Sequence, residues 1–207
     1  MSLIFLLFNI INIVTLWEVC DAKVAVAHLN AQNISGTIYF TEIENGVNVT
    51  GFVTGLDPGL YGFHIHELGD TSTCLATGAH FNPDGTTHGG RDNKVRHVGD
   101  LGNVLFENIE DKSLATVNFI DNVITLHGRN SVLGRALVLH GQEDDLGLGG
   151  HETSLTTGNA GDRLACGVIG IFSPSEPWNS INLSCTNSPL INLIMSAVIA
   201  LFCIKYV

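Results

Sequence analysis

The chain has 207 residues, 45% of them hydrophobic, and a formal net charge of −11. This length favours one domain with extensions at its ends, and about 150 residues are enough to bury a core without help. The excess of acidic residues argues against nucleic acid as a partner, because the phosphate backbone carries the same sign of charge.

The N-terminal segment Met1–Trp17 carries no charged residue and consists mostly of Leu, Ile, Val and Phe. Glu18 ends this run, and small or polar residues follow at Cys20–Ala22. This order is typical of a secretory signal peptide. We therefore expect residues 1–21 to be removed and the mature protein to be extracellular. An uncleaved membrane anchor is the alternative.

Three Asn-x-Ser/Thr sequons begin at Asn33, Asn48 and Asn182. The motif is short and often arises by chance, so its weight depends on the signal peptide. In a secreted protein these three asparagines are predicted glycosylation sites.

The middle of the chain shows no helical periodicity, and its short apolar runs are separated by Gly, Asn, Asp and Pro. Glu44-Asn45-Gly46 and Asp57-Pro58-Gly59 are examples of such turn signals. This spacing predicts an antiparallel β-sandwich or barrel. The predicted strands are Lys23–Leu29, Gly36–Glu42, Val47–Val53, Gly59–His66, Asp100–Phe106, Ala115–Ile120, Arg135–His140 and about Ala165–Ile171.

Two long connections interrupt the even spacing of the predicted strands. One runs from about Glu67 to Gly99 and the other from about Gly141 to Asp162. Loops of this length in a compact domain are usually functional or disordered. The first contains three histidines, which favours a function.

Six of the nine histidines lie at spacings typical of metal ligands, and Asp100 follows one of them by three residues. Two histidines separated by one residue on a strand point to the same face. Neutral imidazole is the commonest protein ligand for copper and zinc, and a carboxylate adds charge where zinc needs it. The pattern predicts a metal site. The six histidines are His64, His66, His80, His88, His97 and His140.

Six segments of the chain contain these residues: GFHIHELGD, GAHFNPDGTTHGG, RHVGDLGNV, GRALVLH, DDLGLGG and TGNAGDRLACGVIGI. They resemble the signature sequences of copper/zinc superoxide dismutase, in that family's order and at nearly its spacing. The resemblance covers Ala22 to Phe172. It implies an all-β fold, an eight-stranded antiparallel Greek-key barrel with long metal-binding and electrostatic loops. It also implies dismutation of superoxide and a homodimer.

The resemblance implies two metal sites that share His80. The copper ligands would be His64, His66, His80 and His140. The zinc ligands would be His80, His88, His97 and Asp100. His80 would then bridge both metals as an imidazolate and count among the catalytic residues. Asp144 would accept hydrogen bonds from His66 and His88 and fix their orientation.

Arg163 is the only Lys or Arg between Arg135 and Lys205, and its sequence neighbours include several acids. Taken alone, such a residue is a surface ion-pair partner. The resemblance implies instead that Arg163 stands at the mouth of the copper channel and guides the superoxide anion. Thr156 and Thr153 occupy the places of the family's steering lysine and second glutamate, so one charge of each sign is missing.

Cys74 and Cys166 are the two cysteines within the region of the resemblance, which implies an intrasubunit disulfide between them. An oxidising compartment favours that pairing. Closing this loop is worth about 4 kcal/mol in the chain-entropy model. Of the remaining cysteines, Cys185 has no predicted partner.

A non-enzymatic copper-binding or copper-delivery domain is the main alternative to an enzyme. Such domains can lack copper ligands or the channel arginine, whereas this chain keeps both and has no Met-x-Cys-x-x-Cys motif. An adhesion sandwich with incidental histidines is a second alternative, which the complete ligand set disfavours.

The C-terminal region has a polar part and an apolar part. Residues 173–188 are predicted to be a polar spacer, and residues 189–207 a hydrophobic anchor signal or transmembrane segment. The order resembles a signal for a glycosylphosphatidylinositol anchor. The alternative is a retained helix ending at Lys205, for which the run is short, because a span needs about 20 apolar residues. We expect attachment to the outer face of the plasma membrane.

Overall fold

The computed structural model describes residues 22–175 and Trp178, and these residues form an antiparallel β-barrel that is nearly closed. The strands are β1 (Val24–Ala31), β2 (Ile34–Ile43), β3 (Gly46–Thr54), β4 (Gly59–His66), β5 (Asp100–Ile109), β6 (Lys112–Asp121), β7 (Ala136–His140), β8 (Arg163–Val168) and β9 (Gly170–Ser173). Their hydrogen-bonded order is β8-β7-β4-β5-β6-β3-β2-β1-β9. The predicted signal peptide, Asn182 and the predicted anchor segment lie outside the described residues. Within the described residues, no helix has the length and apolar character to cross a membrane.

Alternate side chains of the strands point into the barrel and form one core. In β3, for example, Val47, Val49 and Val53 are fully buried, as the period of two requires. Phe40, Phe63 and Phe106 are among the largest fully buried side chains. Full burial of such a side chain stabilises the fold by roughly 1.5–3 kcal/mol. The predicted fold class is thereby confirmed.

The last predicted strand, about Ala165–Ile171, consists of two strands in the structure. β8 pairs with β7, whereas β9 pairs with β1 at the other end of the strand order. Ile169 lies between them and donates its N–H to the carbonyl of Arg135 at 2.9 Å. This short stretch therefore leaves one edge of the sheet and joins the other, which raises the strand count from eight to nine.

β4 and β7 are covered on both faces. Phe63, Ile65, Leu137 and Leu139 belong to the core, so the intervening residues face outward. Those outward residues are also buried, because the connections 67–99 and 141–162 cover them. Both connections have the predicted bounds. They contain a 3₁₀ turn (Cys74–Thr77) and the short helix α1 (Ser154–Thr157).

The predicted disulfide between Cys74 and Cys166 is present. It joins the 3₁₀ turn of the first long connection to β8, across 92 residues of sequence. A cross-link that closes a loop of this size stabilises the fold by about 4–5 kcal/mol through its effect on the unfolded chain. It also fixes one end of the long connection against the barrel.

Candidate metal centre

Seven buried side chains meet outside β4 and β7 in two groups that share His80. In each group the candidate ligand atoms lie within 4.8 Å of one another. The four-histidine group consists of His64, His66, His80 and His140. The three-histidine–aspartate group consists of His80, His88, His97 and Asp100. The structure thus brings together both predicted ligand sets.

Main-chain hydrogen bonds hold the first long connection against β4 and place His80. Phe81 donates its N–H to the carbonyl of Ile65 at 2.8 Å, and Glu67 donates to Ala79 at 2.9 Å. His66 and His80 form an isolated antiparallel bridge. His80 is therefore fixed by a strand-like pairing rather than by a free loop.

Three rings of the four-histidine group are each held by one nitrogen. His66 Nδ1 donates to the carbonyl of Gly78 at 2.8 Å, and His140 Nδ1 donates to that of Gly161 at 3.2 Å. His64 Nε2 is 2.8 Å from Asp144 Oδ2. These outer partners leave His66 Nε2, His140 Nε2 and His64 Nδ1 facing inward.

The inward nitrogens of the four-histidine group suit a cation. His66 Nε2 and His140 Nε2 lie 3.3 Å apart. Because each neutral ring already donates through Nδ1, both Nε2 atoms present lone pairs to each other. His64 Nδ1 and His80 Nε2 are buried without a hydrogen-bond partner. A bound metal ion would satisfy all four atoms, so the residues present fit a metal.

The two nitrogens of His80 face the two groups. Its Nδ1 is 2.9 Å from Asp100 Oδ1, and its unpartnered Nε2 belongs to the four-histidine side. Its ring centroid is 4.2 Å from that of His64. This orientation is the one that a ligand shared by two metals requires.

The three-histidine–aspartate group is built around one carboxylate oxygen. Asp100 Oδ1 is 2.9 Å from His80 Nδ1, 2.9 Å from His88 Nδ1 and 3.2 Å from His97 Nδ1. The second oxygen, Oδ2, accepts the main-chain N–H groups of Gly89 at 3.1 Å and His97 at 2.8 Å. Three imidazoles and one carboxylate are a donor set that suits zinc.

Asp144 links the two groups, but one of its two predicted donors is wrong. Its carboxylate bonds His64 Nε2 and His88 Nε2, each at 2.8 Å, and not His66. His64 lies directly opposite Asp100 in the β4–β5 pairing, and it is therefore on the side of the three-histidine–aspartate group. His66 lies two residues further along β4, where Gly78 takes its Nδ1–H.

Burial lowers the pKa of His66 to about 2 and that of His140 to about 4. Burial alone would raise the pKa of Asp100 and Asp144, but hydrogen bonds from the histidines outweigh it and hold each below its usual range. Burial also opposes protonation of His88, but the carboxylates of Asp100 and Asp144 beside it raise its pKa to about 9. Burial thus favours neutral imidazoles at His66 and His140, and the neighbouring histidines favour ionised carboxylates at Asp100 and Asp144.

We expect the metal-free protein to lose stability as the pH falls from 6.5 to about 4. The folded pKa values of His66 and His140 lie at about 2 and about 4, below the ordinary 6.5. In this window the unfolded chain binds protons that the folded chain does not, so the free energy of unfolding falls. The free energy of unfolding should fall by about 1.4 kcal/mol per pH unit for each histidine that is protonated in the unfolded chain and neutral in the folded chain.

Urea unfolding in the presence of a chelator, at pH 7, 6 and 5, measures this slope. The raised pKa of His88 opposes this slope near pH 7 and adds almost none at pH 5, where the residue is protonated in both states. An unfolding midpoint that stays constant or rises from pH 7 to pH 5 would contradict the expectation.

Arg163 is the first residue of β8 and is half-buried. Its Nη1 donates to the carbonyls of Cys74 at 3.0 Å and Leu75 at 3.3 Å, and to Thr77 Oγ1 at 3.0 Å. Its positive charge contributes to the lowered pKa of both His66 and His140. The 3₁₀ turn and its disulfide thus hold a guanidinium beside the four-histidine group.

Thr153 and Thr156 of the second long connection make local contacts. Thr153 Oγ1 is 2.9 Å from His151 Nδ1, and Thr156 Oγ1 donates to the carbonyl of Thr153 at 3.0 Å. Both side chains are neutral, so they add no formal charge near the site. Of the predicted glycosylation sites, Asn33 is exposed in the β1–β2 turn, and Asn48 is half-buried on β3.

Several groups that fix the site were not identified from the sequence. The carbonyls of Gly78 and Gly161 are invisible in a sequence, because every residue has one. Asn103 belongs to the segment RHVGDLGNV, but the sequence predicts no contact for its side chain. Its amide makes two hydrogen bonds of 2.8 Å to the main chain of Asp144.

Comparison with known proteins agrees with this geometry. The family model described as copper/zinc superoxide dismutase (SODC) matches residues 34–169. A solved structure described as "Crystal Structure Analysis of the clock protein EA4" is similar to this chain, with 47% sequence identity and a TM-score of 0.70. That match covers 75% of this chain and 98% of the other. Copper and zinc are the metals that these histidine groups take. The chain belongs to the copper/zinc superoxide dismutase family.

Proposed function

We propose that this protein is an extracellular enzyme that converts two superoxide anions and two protons to O₂ and hydrogen peroxide. The observation that carries the proposal is the pair of buried groups sharing His80, with lone pairs facing inward in the four-histidine group. Histidines that only stabilise the fold would not be left in this arrangement, because buried polar atoms are normally hydrogen-bonded.

The donor sets favour a different metal in each of the two groups. The four-histidine group would hold copper, because imidazoles suit both of its oxidation states. The three-histidine–aspartate group would hold zinc as a structural ion without redox chemistry. Copper held by His64, His66, His80 and His140 would supply one-electron redox chemistry.

The protein's own residues orient the ligands and handle the anion and the protons. Asp144 holds one ring from each group, so the two metals would be placed relative to each other. Arg163 supplies the positive charge that attracts superoxide and binds it beside the histidines. His80 Nε2 is buried and without a hydrogen-bond partner while Nδ1 is held, so Nε2 is the atom of this ring that would take up a proton when it does not hold the metal.

The negative net charge of −11 does not prevent uptake of an anion. Arg163 has no carboxylate among its hydrogen-bond partners in the described part of the chain, so its charge is not neutralised by an ion pair. A local positive field at a narrow opening can raise association rates by about 10- to 1,000-fold. With Thr153 and Thr156 neutral, this role falls mainly on Arg163.

We expect the purified enzyme to contain one copper and one zinc per chain and to remove superoxide. Elemental analysis with a superoxide-decay assay tests both statements on the same preparation. Activity in a preparation that holds no chelator-resistant copper would contradict the mechanism. Fully metallated protein without activity above a free-copper control would instead support a copper-binding or copper-delivery role.

The site of action is proposed from the ends of the sequence. An apolar N-terminal run, three sequons and an apolar C-terminal run support secretion followed by a lipid anchor. We expect phosphatidylinositol-specific phospholipase to release active enzyme from intact cells. Retention of the enzyme, with Lys205 present by mass spectrometry, would favour a membrane helix. Complete secretion into the medium would contradict both forms of attachment.

A homodimer is supported by the apolar surface of the last strand. Ile171 and Phe172 on β9 are each 57% exposed, and Val168 at the end of β8 is also exposed. Burying these exposed apolar side chains against a second copy would remove apolar surface from water. Sedimentation of the released enzyme at the mass of one chain would contradict this proposal.

A further inference from the structure

An irregularity in β5 decides which of its residues face the metal groups. Gly62 of β4 pairs with Asn103, and His64 pairs with Asp100. One residue separates the two partners on β4, whereas two residues separate them on β5. This extra residue is a β-bulge. Gly102 lies in it with a φ of 77°, a backbone conformation that favours glycine.

The bulge places two polar residues on the same face of the barrel. In a regular strand, residues three positions apart point to opposite faces. Here Leu101 and Val104 both belong to the core, so Asp100 and Asn103 both lie on the outer face, beside the histidines. One strand therefore carries a ligand of the three-histidine–aspartate group and, three residues later, an amide.

The amide of Asn103 binds both main-chain groups of Asp144. Its Nδ2 donates to the carbonyl of Asp144 at 2.8 Å, and its Oδ1 accepts the N–H of Asp144 at 2.8 Å. The two bonds form a closed pair across 41 residues of sequence. They fix the main chain at the point from which the Asp144 carboxylate reaches His64 and His88.

We propose that Asn103 is a positioning residue that holds Asp144 in place and so couples metal binding in the two groups. The proposal rests on the proposed function of these groups as copper and zinc sites. A carboxylate on a loop can hold two rings only if its main chain is itself held, and a strand is a more rigid support than a loop. Asn103 gives Asp144 that support from the strand that also carries Asp100.

Metal affinities of matched variants test the proposal. Asn103→Ala removes both bonds, and Asn103→Asp keeps an acceptor for the Asp144 N–H but loses the donor to its carbonyl. Asn108→Ala is the control, because Asn108 lies on the same strand and is exposed. Zinc and copper affinities are measured by chelator competition, each metal with and without the other. Cobalt(II) absorption reports the geometry of the three-histidine–aspartate group.

Loss of an outer partner of a metal ligand typically costs about 10- to 100-fold in affinity. We expect Asn103→Ala to weaken zinc binding about 10-fold, at the low end of that range, and to reduce the effect of one metal on the affinity for the other. Asn103→Asp sets a carboxylate oxygen against the Asp144 carbonyl in place of the amide donor, so it should weaken zinc binding at least as much as Asn103→Ala. Asn108→Ala should change neither quantity by more than about twofold, since surface changes away from such contacts are small.

A double-mutant cycle separates positioning from general stabilisation. If Asn103 acts through Asp144, the protein with both Asn103→Ala and Asp144→Ala binds zinc as weakly as Asp144→Ala alone. Independent, multiplying losses would overturn the proposal, as would unchanged affinities in Asn103→Ala. If Asn103→Ala does not fold, the same cycle with Asn103→Asp decides. These affinities need no dismutation, so a failure of the proposed reaction would be seen separately in the superoxide assay.

Discussion

Replacing His66 with alanine is expected to lower the dismutation rate by at least about 100-fold, since loss of an outer partner alone costs up to that factor. His66 belongs only to the four-histidine group, and its Nε2 faces that of His140 at 3.3 Å. The substitution removes a ligand atom and leaves the carbonyl of Gly78 without its donor. The three-histidine–aspartate group contains no atom of His66, so zinc should stay bound.

A histidine outside both groups provides the control for this variant. His28 is exposed on β1, and its Nδ1 lies 3.1 Å from Thr37 Oγ1. His28→Ala should keep the wild-type rate and both metals. Rates are compared per chain, with copper and zinc measured on each preparation. If the His66→Ala protein keeps its copper and more than half of the wild-type rate, then the reaction does not require His66.

Most of the barrel follows from local patterns in the sequence. Alternating apolar residues and turn signals predicted β4 with its observed bounds, Gly59–His66, and the bounds of both long connections. The division between β8 and β9 could not be predicted in this way, because Cys166 to Ile171 reads as one continuous run. The division arises from tertiary pairing, with β7 on one side and β1 on the other.

The identities of the site residues were predictable, but the direction of each ring was not. Spacing and resemblance brought together both ligand sets, and yet they assigned His66 rather than His64 to Asp144. Both residues are on the same face of β4, so alternation cannot distinguish them. The choice depends on their neighbours, Asp100 across from His64 and the Gly78 carbonyl beside His66.

The bulge in β5 shows the same limit at the level of a strand. Strict alternation places Asp100 and Asn103 on opposite faces, which would separate the ligand from the amide that holds Asp144. A glycine in a strand is a weak signal for a bulge, because it also occurs in turns and at close contacts. Only the observed register places both residues on the metal side.

Replacing Arg163 with glutamine is expected to lower the rate about 10-fold without loss of copper, the lower end of the range for electrostatic steering. No atom of Arg163 belongs to either metal group, so metal content should not change. Lys112→Gln is the matched control, because it removes the same charge from an exposed position at the start of β6. Arg163→Lys keeps the charge but has a single ammonium in place of the guanidinium that contacts Cys74, Leu75 and Thr77.

The salt dependence of the rate distinguishes attraction of the substrate from support of the 3₁₀ turn. Added salt screens long-range attraction, so the wild-type rate should fall as ionic strength rises. If Arg163 provides the attraction, the Arg163→Gln rate should depend less on salt, whereas Arg163→Lys should keep the dependence. If Arg163 mainly supports the turn, both variants should lose rate and keep the salt dependence of the wild type. Wild-type rate and salt dependence in Arg163→Gln would exclude both roles, and superoxide would then reach the four-histidine group without help from this charge.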